Sequence, residues 1–551
     1  MLEGCVPWPA PTAAQYRACG WWEGITIPEL LERSTARHPQ KTALVSGDLR
    51  LSYAELAAGY RRLACRFLEA GIKPQDRVVM QLPNGPEFVL AYFALTRIGA
   101  IPVTALRAHR HTEIRHFLSA SGATAYLIPA VLGNFDYREM AREVCADRPG
   151  VRVFVAGDPG PGQTNLRGMI DAAMDDADVA RRLAAVRPDP AEVATMLLSG
   201  GTTSLSKLIP RTHEDYVLNA RLCGRAGGFD ESTVFMAILP LGHNYNLASP
   251  GMLGCFYYGG TVVLAPSGDA AEVFALVQRE KVSVIAAVVP LISNWLNSTV
   301  PDGFDLSSLK VIQNGGARLA PELRARLRQR FGCLPQEIYG TAEGLINMVP
   351  LDSPEDLLMT SSGAPVCEED EIRVVDDDGR EVPDGEVGEL VTRGPYTIQG
   401  YYNAPEKNAE AFTADGFYRM GDIVRKRGRH VFTEGRRKDL INRGGEKISC
   451  EEVENLIFGH PKVKAVTLVA MPDPVFGEKA CAFVIPKEGE TLGFDELVAF
   501  LRAQKIASFK LPERLEVVKE FPLSPVGKIL KRQLRETIAA RMEAERAGGR
   551  A

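Results

Sequence analysis

The chain has no run of about 18 uninterrupted apolar residues, the length a membrane-crossing helix needs, so no membrane partner is expected. Its opening, MLEGCVPWPAP, has an early Glu and several prolines but not the apolar stretch of a secretory leader. It has no CxxC pair and no zinc-type spacing. Its 10 cysteines are scattered singly, as expected for mostly buried thiols in a reducing compartment. A dense basic block is also missing, and the formal charge is only -5, which argues against nucleic acid as the main partner. These absences point to the cytoplasm. What is present is ordinary globular composition, 45% hydrophobic and 24% charged, spread over 551 residues. That is too long for one compact core, so two or more domains are expected.

Short apolar runs alternate with helical patterns through most of the chain. ITIPELLERSTARH reads as a helix, TALVSG and LRLSYAEL as two strands followed by a helix that Ser52 opens. RVVMQLPNGPEFVLAYFALTRIGAIPV reads as a strand, a turn and a buried helix. Further strands are expected at 123–128, 152–155, 233–239, 261–264, 282–289 and 309–313. This rhythm predicts α/β layers with mostly parallel sheets. EIRVVDDDGREVPDGEVGELVTRG differs: its Asp-Gly turns and short strands predict a small antiparallel unit. After Arg436 comes a last portion of helix, two strands, helix, strand and helix, with EAERAGGRA as a frayed tail. The expected fold class is α/β: a large N-terminal domain of layered α/β subdomains plus the small antiparallel unit, residues 1–435, then a small α+β C-terminal domain, residues 436–551.

The stretch LLSGGTTSLSKLIPRTH contains little that could build a core. Backbone amides and hydroxyls after a strand, followed by a lysine, suit a phosphate group. The P-loop pattern GxxxxGK(S/T) fails here, because Ser206 precedes Lys207 and Leu208 follows it. A flexible surface linker is the plain alternative for this stretch alone.

Five further motifs occur in order: NGGA (314–317), YGTAEG (339–344), YRMGD (418–422), GRRKDLINRGGEKISCEEVE (435–454) and PLSPVGKILKRQL (522–534). With SGGTTSLSK they resemble the signatures of the adenylate-forming superfamily over nearly the whole chain. Singly, each residue has a duller reading: Lys528 a solvated lysine, Asp422 a turn residue, Glu343 a charge at a helix start. The ordered set argues for all of them together. The resemblance implies ATP and Mg²⁺ as cofactors. It assigns Ser199, Gly200, Gly201, Thr202, Thr203 and Lys207 to the β- and γ-phosphates. Gly315, Gly316 and Ala317 would pack on adenine, with Tyr339, Gly340 and Thr341 beside the nucleotide. Asp422 would hold the ribose, and Arg436 would lie near ribose and phosphates. Glu343 would bind the metal, a hard cation suited to carboxylate and phosphate oxygens. Lys528 would come from the small domain to stabilise charge on the α-phosphate, that domain turning on a hinge at Lys438. Two departures stand out. Ser204 replaces a usual Gly, at a cost of about 1 kcal/mol if φ is positive there, and Met420 replaces a usual hydroxyl.

PLGHNYNLASPGMLG (240–254) resembles the aryl-acid branch of that superfamily, whose members activate 2,3-dihydroxybenzoate or salicylate for siderophore assembly. The resemblance makes Asn244, Tyr245, Ser249, Gly316, Ile338 and Ile346 the substrate pocket. It gives His243 a contact with the substrate carboxylate or the α-phosphate, from which the ring later makes way for the pantetheine thiol. The Asn244 amide can donate to a phenol oxygen while the pocket stays neutral. Ser249 favours 2,3-dihydroxybenzoate, since a hydroxyl pairs with a 3-OH better than a thiol does. Ile338 and Ile346, bulkier than the usual valine, and Asn246, which replaces a proline, point towards salicylate, 3-hydroxypicolinate or a hydroxyanthranilate. The expected reaction is ATP-dependent formation of an aryl adenylate, followed by transfer to a phosphopantetheinylated aryl carrier protein. The rivals are an aryl-CoA ligase, with coenzyme A as acceptor, and a catalytically silent binding module. No carrier domain is recognisable within the sequence.

Overall fold

The computed structural model describes all residues except 200–205, 437–438, 445, 505, 525–526 and 549–551. Two large sheets form its first 365 residues. One has seven strands, in the order Leu208–Thr212, Val193–Leu198, Ile101–Thr104, Arg77–Met80, Ala125–Pro129, Arg152–Ala156, Thr164–Asn165. All its neighbours are parallel except the first pair. The other has nine strands. Its centre is parallel and runs Leu334–Gly340, Val311–Gly315, Val284–Ala287, Val234–Ala237, Thr261–Leu264, Thr42–Ser46. Antiparallel strands close it at both edges.

Local chemistry sets the helices. Thr26 with Glu29, Ser52 with Glu55 and Thr212 with Asp215 form reciprocal capping boxes that satisfy first-turn N–H groups. The helix Pro86–Arg97 starts on a proline and is apolar all round. Every residue from Phe88 to Thr96 is buried, as a helix lying inside a core requires. The largest apolar cluster joins this helix to residues of both sheets, including Leu44, Val78, Phe235 and Leu197. The two layers therefore share one core.

The segment expected to be antiparallel is the start of a four-stranded antiparallel sheet: Glu371–Val375, Val387–Arg393, Tyr418–Arg427 and His430–Arg436. The next sheet starts at Ile441–Arg443 and carries the long hairpin Val463–Asp473 and Gly477–Pro486, with Arg514–Val517 parallel at its side. It has its own apolar cluster, built on Val453, Leu468, Ala482 and Leu497. The stretch expected to fray from Glu543 is instead helical through Gly548, within the helix Lys531–Gly548. Glu545 is tied down by both terminal nitrogens of Arg514, at 2.8 and 2.6 Å. Seven cysteines are buried, while Cys5 and Cys145 are half-buried and Cys19 is exposed. No helix among the described residues is long and apolar enough to cross a membrane.

One fully buried ion pair lies where the two layers meet. Arg211 Nε donates to Asp215 Oδ1 at 2.7 Å, and both side chains have zero exposure. Asp215 also caps the helix His213–Ala226 by accepting from the Thr212 amide at 2.8 Å. Removing one partner strands the other charge away from water. Asp215→Ala should therefore lower unfolding free energy by roughly 3–5 kcal/mol, read as a lower urea midpoint. A loss below about 1 kcal/mol would contradict the reading.

Candidate active site

The carboxyl ends of the parallel strands are where open α/β sheets bind ligands, because the loops diverge there. Four of the expected segments gather at those ends. NGGA begins within the strand Val311–Gly315, and YGTAEG within Leu334–Gly340. The stretch Asn244–Ser249 follows the strand Val234–Ala237, and Ser199 follows Val193–Leu198.

The mouth of the glycine-hydroxyl loop is clasped by two hydrogen bonds. The Ser199 amide donates to the Lys207 carbonyl at 3.0 Å, and the Lys207 amide donates to Ser199 Oγ at 2.9 Å. Gly200, Gly201, Thr202, Thr203 and Ser204 lie outside the described residues, as does Lys438. Lys207 Nζ sits 4.9 Å from the centre of the Tyr401 ring. The Tyr401 hydroxyl donates to Glu343 Oε1 at 2.9 Å and lies 3.2 Å from the Tyr418 hydroxyl. Tyr339 donates to Asp422 Oδ2 at 2.9 Å. Asp422 and Arg436 are paired across adjacent antiparallel strands. The loop lysine and the expected metal carboxylate thus meet at Tyr401, and Tyr339 holds the expected ribose carboxylate. The Thr341 hydroxyl is buried without a protein partner, which fits a site meant for a polar ligand.

The turn after Asn314 is fixed from beneath. Asn314 Nδ2 donates to the Ala317 carbonyl at 2.7 Å and to Glu337 Oε2 at 3.0 Å. Arg324, wholly buried, pairs with Glu337 at 3.1 Å. Gly315 and Gly316 are both required. A Cβ on Gly315 would come within 2.9 Å of the Tyr245 ring. Gly316 has φ +86°, and a Cβ there would meet Lys528 Cε at 3.2 Å. Lys528 therefore reaches this turn from the far end of the chain. Its own loop is pinned: its amide donates to Ser524 Oγ at 3.0 Å, and its carbonyl accepts from the Ser524 amide at 2.7 Å. The last portion of the chain also meets the core through Arg318 and Glu451 at 3.5 Å, and through Thr433 Oγ1 donating to Glu451 at 3.0 Å.

His243 is also beside Lys528. Burial, reinforced by that cation, pushes its imidazole down to about 3. Its Nδ1 accepts the Tyr245 amide at 3.3 Å. A neutral ring with Nδ1 accepting carries its proton on Nε2, so it is a hydrogen-bond donor at neutral pH. Asn244, Tyr245 and Ser249 are buried. The Asn244 amide donates to Ser249 Oγ at 3.2 Å and accepts from the Tyr216 hydroxyl at 2.9 Å. Ile338 and Ile346 are buried too, at the Gly315 and Gly340 ends of paired strands. Asn246 instead donates to the Leu239 carbonyl at 2.6 Å, a backbone role. Tyr401, Tyr216 and Asn219 were not singled out from the sequence. Tyr216 lies in the stretch SKLIPRTHEDY, but its contact with Asn244 is visible only in the fold.

The profile of the AMP-binding enzyme family matches residues 31–402, and that of the AMP-binding enzyme C-terminal domain matches 452–528. The chain belongs to the AMP-binding enzyme family. This AMP-binding enzyme is 45% identical to the 2,3-dihydroxybenzoate-AMP ligase of Bacillus subtilis (strain 168), over 98% of its length and 99% of the relative's. It is 44% identical to a salicylyl-CoA synthase / salicylate adenylyltransferase of a Streptomyces species, over 98% and 99%. Among solved structures it resembles apo MbtA of Mycobacterium smegmatis: 37% identity, TM-score 0.73, covering 97% of this chain and 98% of that one.

A second histidine of the family member, His213, is structural. It is 1% exposed, accepts the Ile27 amide at 3.1 Å, and is pushed down to about 3 by burial. The folded state binds fewer protons here than the unfolded state, so stability falls as pH drops below the ordinary 6.5. Between pH 7 and 5 this histidine should cost about 2 kcal/mol. His213→Gln should remove that part of the acid sensitivity, measured by urea unfolding at both pH values. Equal pH dependence in both proteins would contradict it.

Proposed function

We propose that this enzyme activates an aryl carboxylic acid with ATP and passes the aryl group to a thiol, with 2,3-dihydroxybenzoate the first substrate to test. The observation that carries the reading is the meeting of Lys528 with Gly316, next to a neutral histidine and a buried Asn244–Ser249 pair. A carboxylate oxygen attacks the α-phosphorus, the bond to pyrophosphate breaks, and the aryl adenylate forms. Lys528 offsets charge on the attacking carboxylate and the α-phosphate, and His243 Nε2–H orients that carboxylate. Ser199, Gly200, Gly201, Thr202, Thr203 and Lys207 hold the outer phosphates. Asp422 holds the ribose, with Arg436 near it. Gly315, Gly316, Ala317, Tyr339, Gly340 and Thr341 line the nucleotide.

Mg²⁺ fits the buried Glu343 carboxylate. No cluster of three or more His, Cys, Asp or Glu exists among the described residues, so its remaining ligands would be phosphate oxygens and water. The metal would supply charge neutralisation on the phosphates.

The second half-reaction needs the lysine out of the way. Residues 436–551 turn as a unit on Lys438 and break the Arg318–Glu451 contact. A thiol then attacks the carbonyl carbon and AMP leaves. The thiol is the phosphopantetheine of a separate aryl carrier protein. A coupled assay with carrier protein and with coenzyme A separates this from a CoA ligase. Salicylate is the second substrate reading, favoured by Ile346, whose extra methylene narrows the cavity.

ATP–pyrophosphate exchange with a panel of hydroxylated benzoates tests the first step. Turnover with none of them would rule out the reading. Lys528→Ala should slow adenylate formation by about 100-fold or more, while thioester formation from preformed adenylate stays within a few-fold. Equal loss in both steps would refute the rotation.

A further inference from the structure

The helix His213–Ala226 carries Tyr216 and Asn219 one turn apart, beneath the stretch Asn244–Ser249. Tyr216 and Asn219 have zero exposure, and Ser249 is 1% exposed. Asn219 Nδ2 donates to the Ala248 carbonyl at 2.6 Å. A carbonyl can only accept, so the orientation of this amide is fixed. The same nitrogen donates to Ser249 Oγ at 3.2 Å. Asn244 Nδ2 donates to that oxygen as well, at 3.2 Å. In this arrangement the Tyr216 hydroxyl donates to Asn244 Oδ1 at 2.9 Å, which leaves the Asn244 nitrogen facing Ser249. Tyr216 is itself anchored, with the Arg211 guanidinium 4.8 Å from its ring centre.

A serine hydroxyl has one proton and two lone pairs. Both lone pairs of Ser249 are taken by N–H groups, so the hydroxyl can only donate, and within the protein its proton has the Cys223 thiol, a weak acceptor that a ligand oxygen outcompetes. We propose that Tyr216 and Asn219 are positioning residues that make Ser249 a committed donor. The pocket therefore selects aryl acids with an oxygen acceptor beside the 2-hydroxyl and discriminates against an amino group there. An aryl amine donates well but accepts poorly, its lone pair being drawn into the ring. Against it, Ser249 would keep an unmade hydrogen bond and face a second proton. The inference rests on the reading above that Asn244 and Ser249 face the aryl acid.

The two sides of the relay fail in a predictable way. Without the Tyr216 hydroxyl, Asn244 Oδ1 loses its donor, and a reversed amide recovers one by taking the Ser249 proton on its oxygen. Without Asn219, one lone pair of Ser249 opens towards the ligand. Either change lets Ser249 accept, so either should relax the discrimination.

The test compares pyrophosphate exchange with 2,3-dihydroxybenzoate and with 3-amino-2-hydroxybenzoate, which differ only in OH against NH₂. Wild type should favour the hydroxyl acid by about tenfold or more in kcat/KM. Tyr216→Phe and Asn219→Ala should each shrink that ratio several-fold, mainly through the KM of the acid, with the KM for ATP unchanged as the check on folding. A wild type that uses both acids equally would overturn the inference. An unchanged ratio in a variant with normal ATP KM would do the same. In both cases turnover of aryl acids leaves the proposed function standing. Turnover with neither acid, nor with any other hydroxylated benzoate, would instead remove the function and the inference together.

Discussion

The contact on which the site depends is the approach of Lys528 to Gly316. It is possible because residue 316 has no Cβ and sits at φ +86°, where an L side chain is strained. The same turn, one residue earlier, accepts the Tyr245 ring for the same reason. One pair of glycines therefore brings a charged group from one side and an aromatic wall from the other. The turn does not hold itself in place. The buried Arg324–Glu337–Asn314 chain fixes it from below, so a charged network in the core sets geometry at the surface of the cleft.

Charge is distributed unevenly across the cleft. On the proposed nucleotide side are Lys207 and Glu343, which meet at Tyr401, and Asp422, held by Tyr339. On the proposed aryl side the polar groups are neutral: a deprotonated histidine, two amides and hydroxyls. A cation beside His243 and burial around it act in the same direction, so the imidazole stays uncharged over the whole physiological range. That asymmetry suits a substrate whose single negative charge must leave its aromatic ring behind and approach phosphate.

Much of this was legible in the sequence, for physical reasons. Alternating apolar runs and a helix-opening residue such as Ser52 dictate local structure directly, so the strands and that cap came through. Motifs marked the candidate site residues, and the fold gathers four of their segments at the carboxyl ends of the strands. What stayed hidden are side chains whose work is to hold other side chains. Tyr401 joins Lys207 to Glu343, and Tyr216 orients Asn244, across separations that no local pattern encodes. Asn246 was read as a departure at the pocket, and the structure adds that its amide donates to the Leu239 carbonyl. The tail after Glu543 was read as frayed from its composition, yet a distant arginine, Arg514, keeps it helical.

The most direct measurement is a crystal structure with a non-hydrolysable aryl-adenylate analogue of 2,3-dihydroxybenzoate. The account predicts the ring between Tyr245 and Gly316, its hydroxyls on Asn244 and Ser249, and Lys528 Nζ within hydrogen-bonding distance, about 3 Å, of the acyl-phosphate linkage. A ring bound elsewhere, or a linkage contacted by some other cation while Lys528 stays at Gly316, would contradict it.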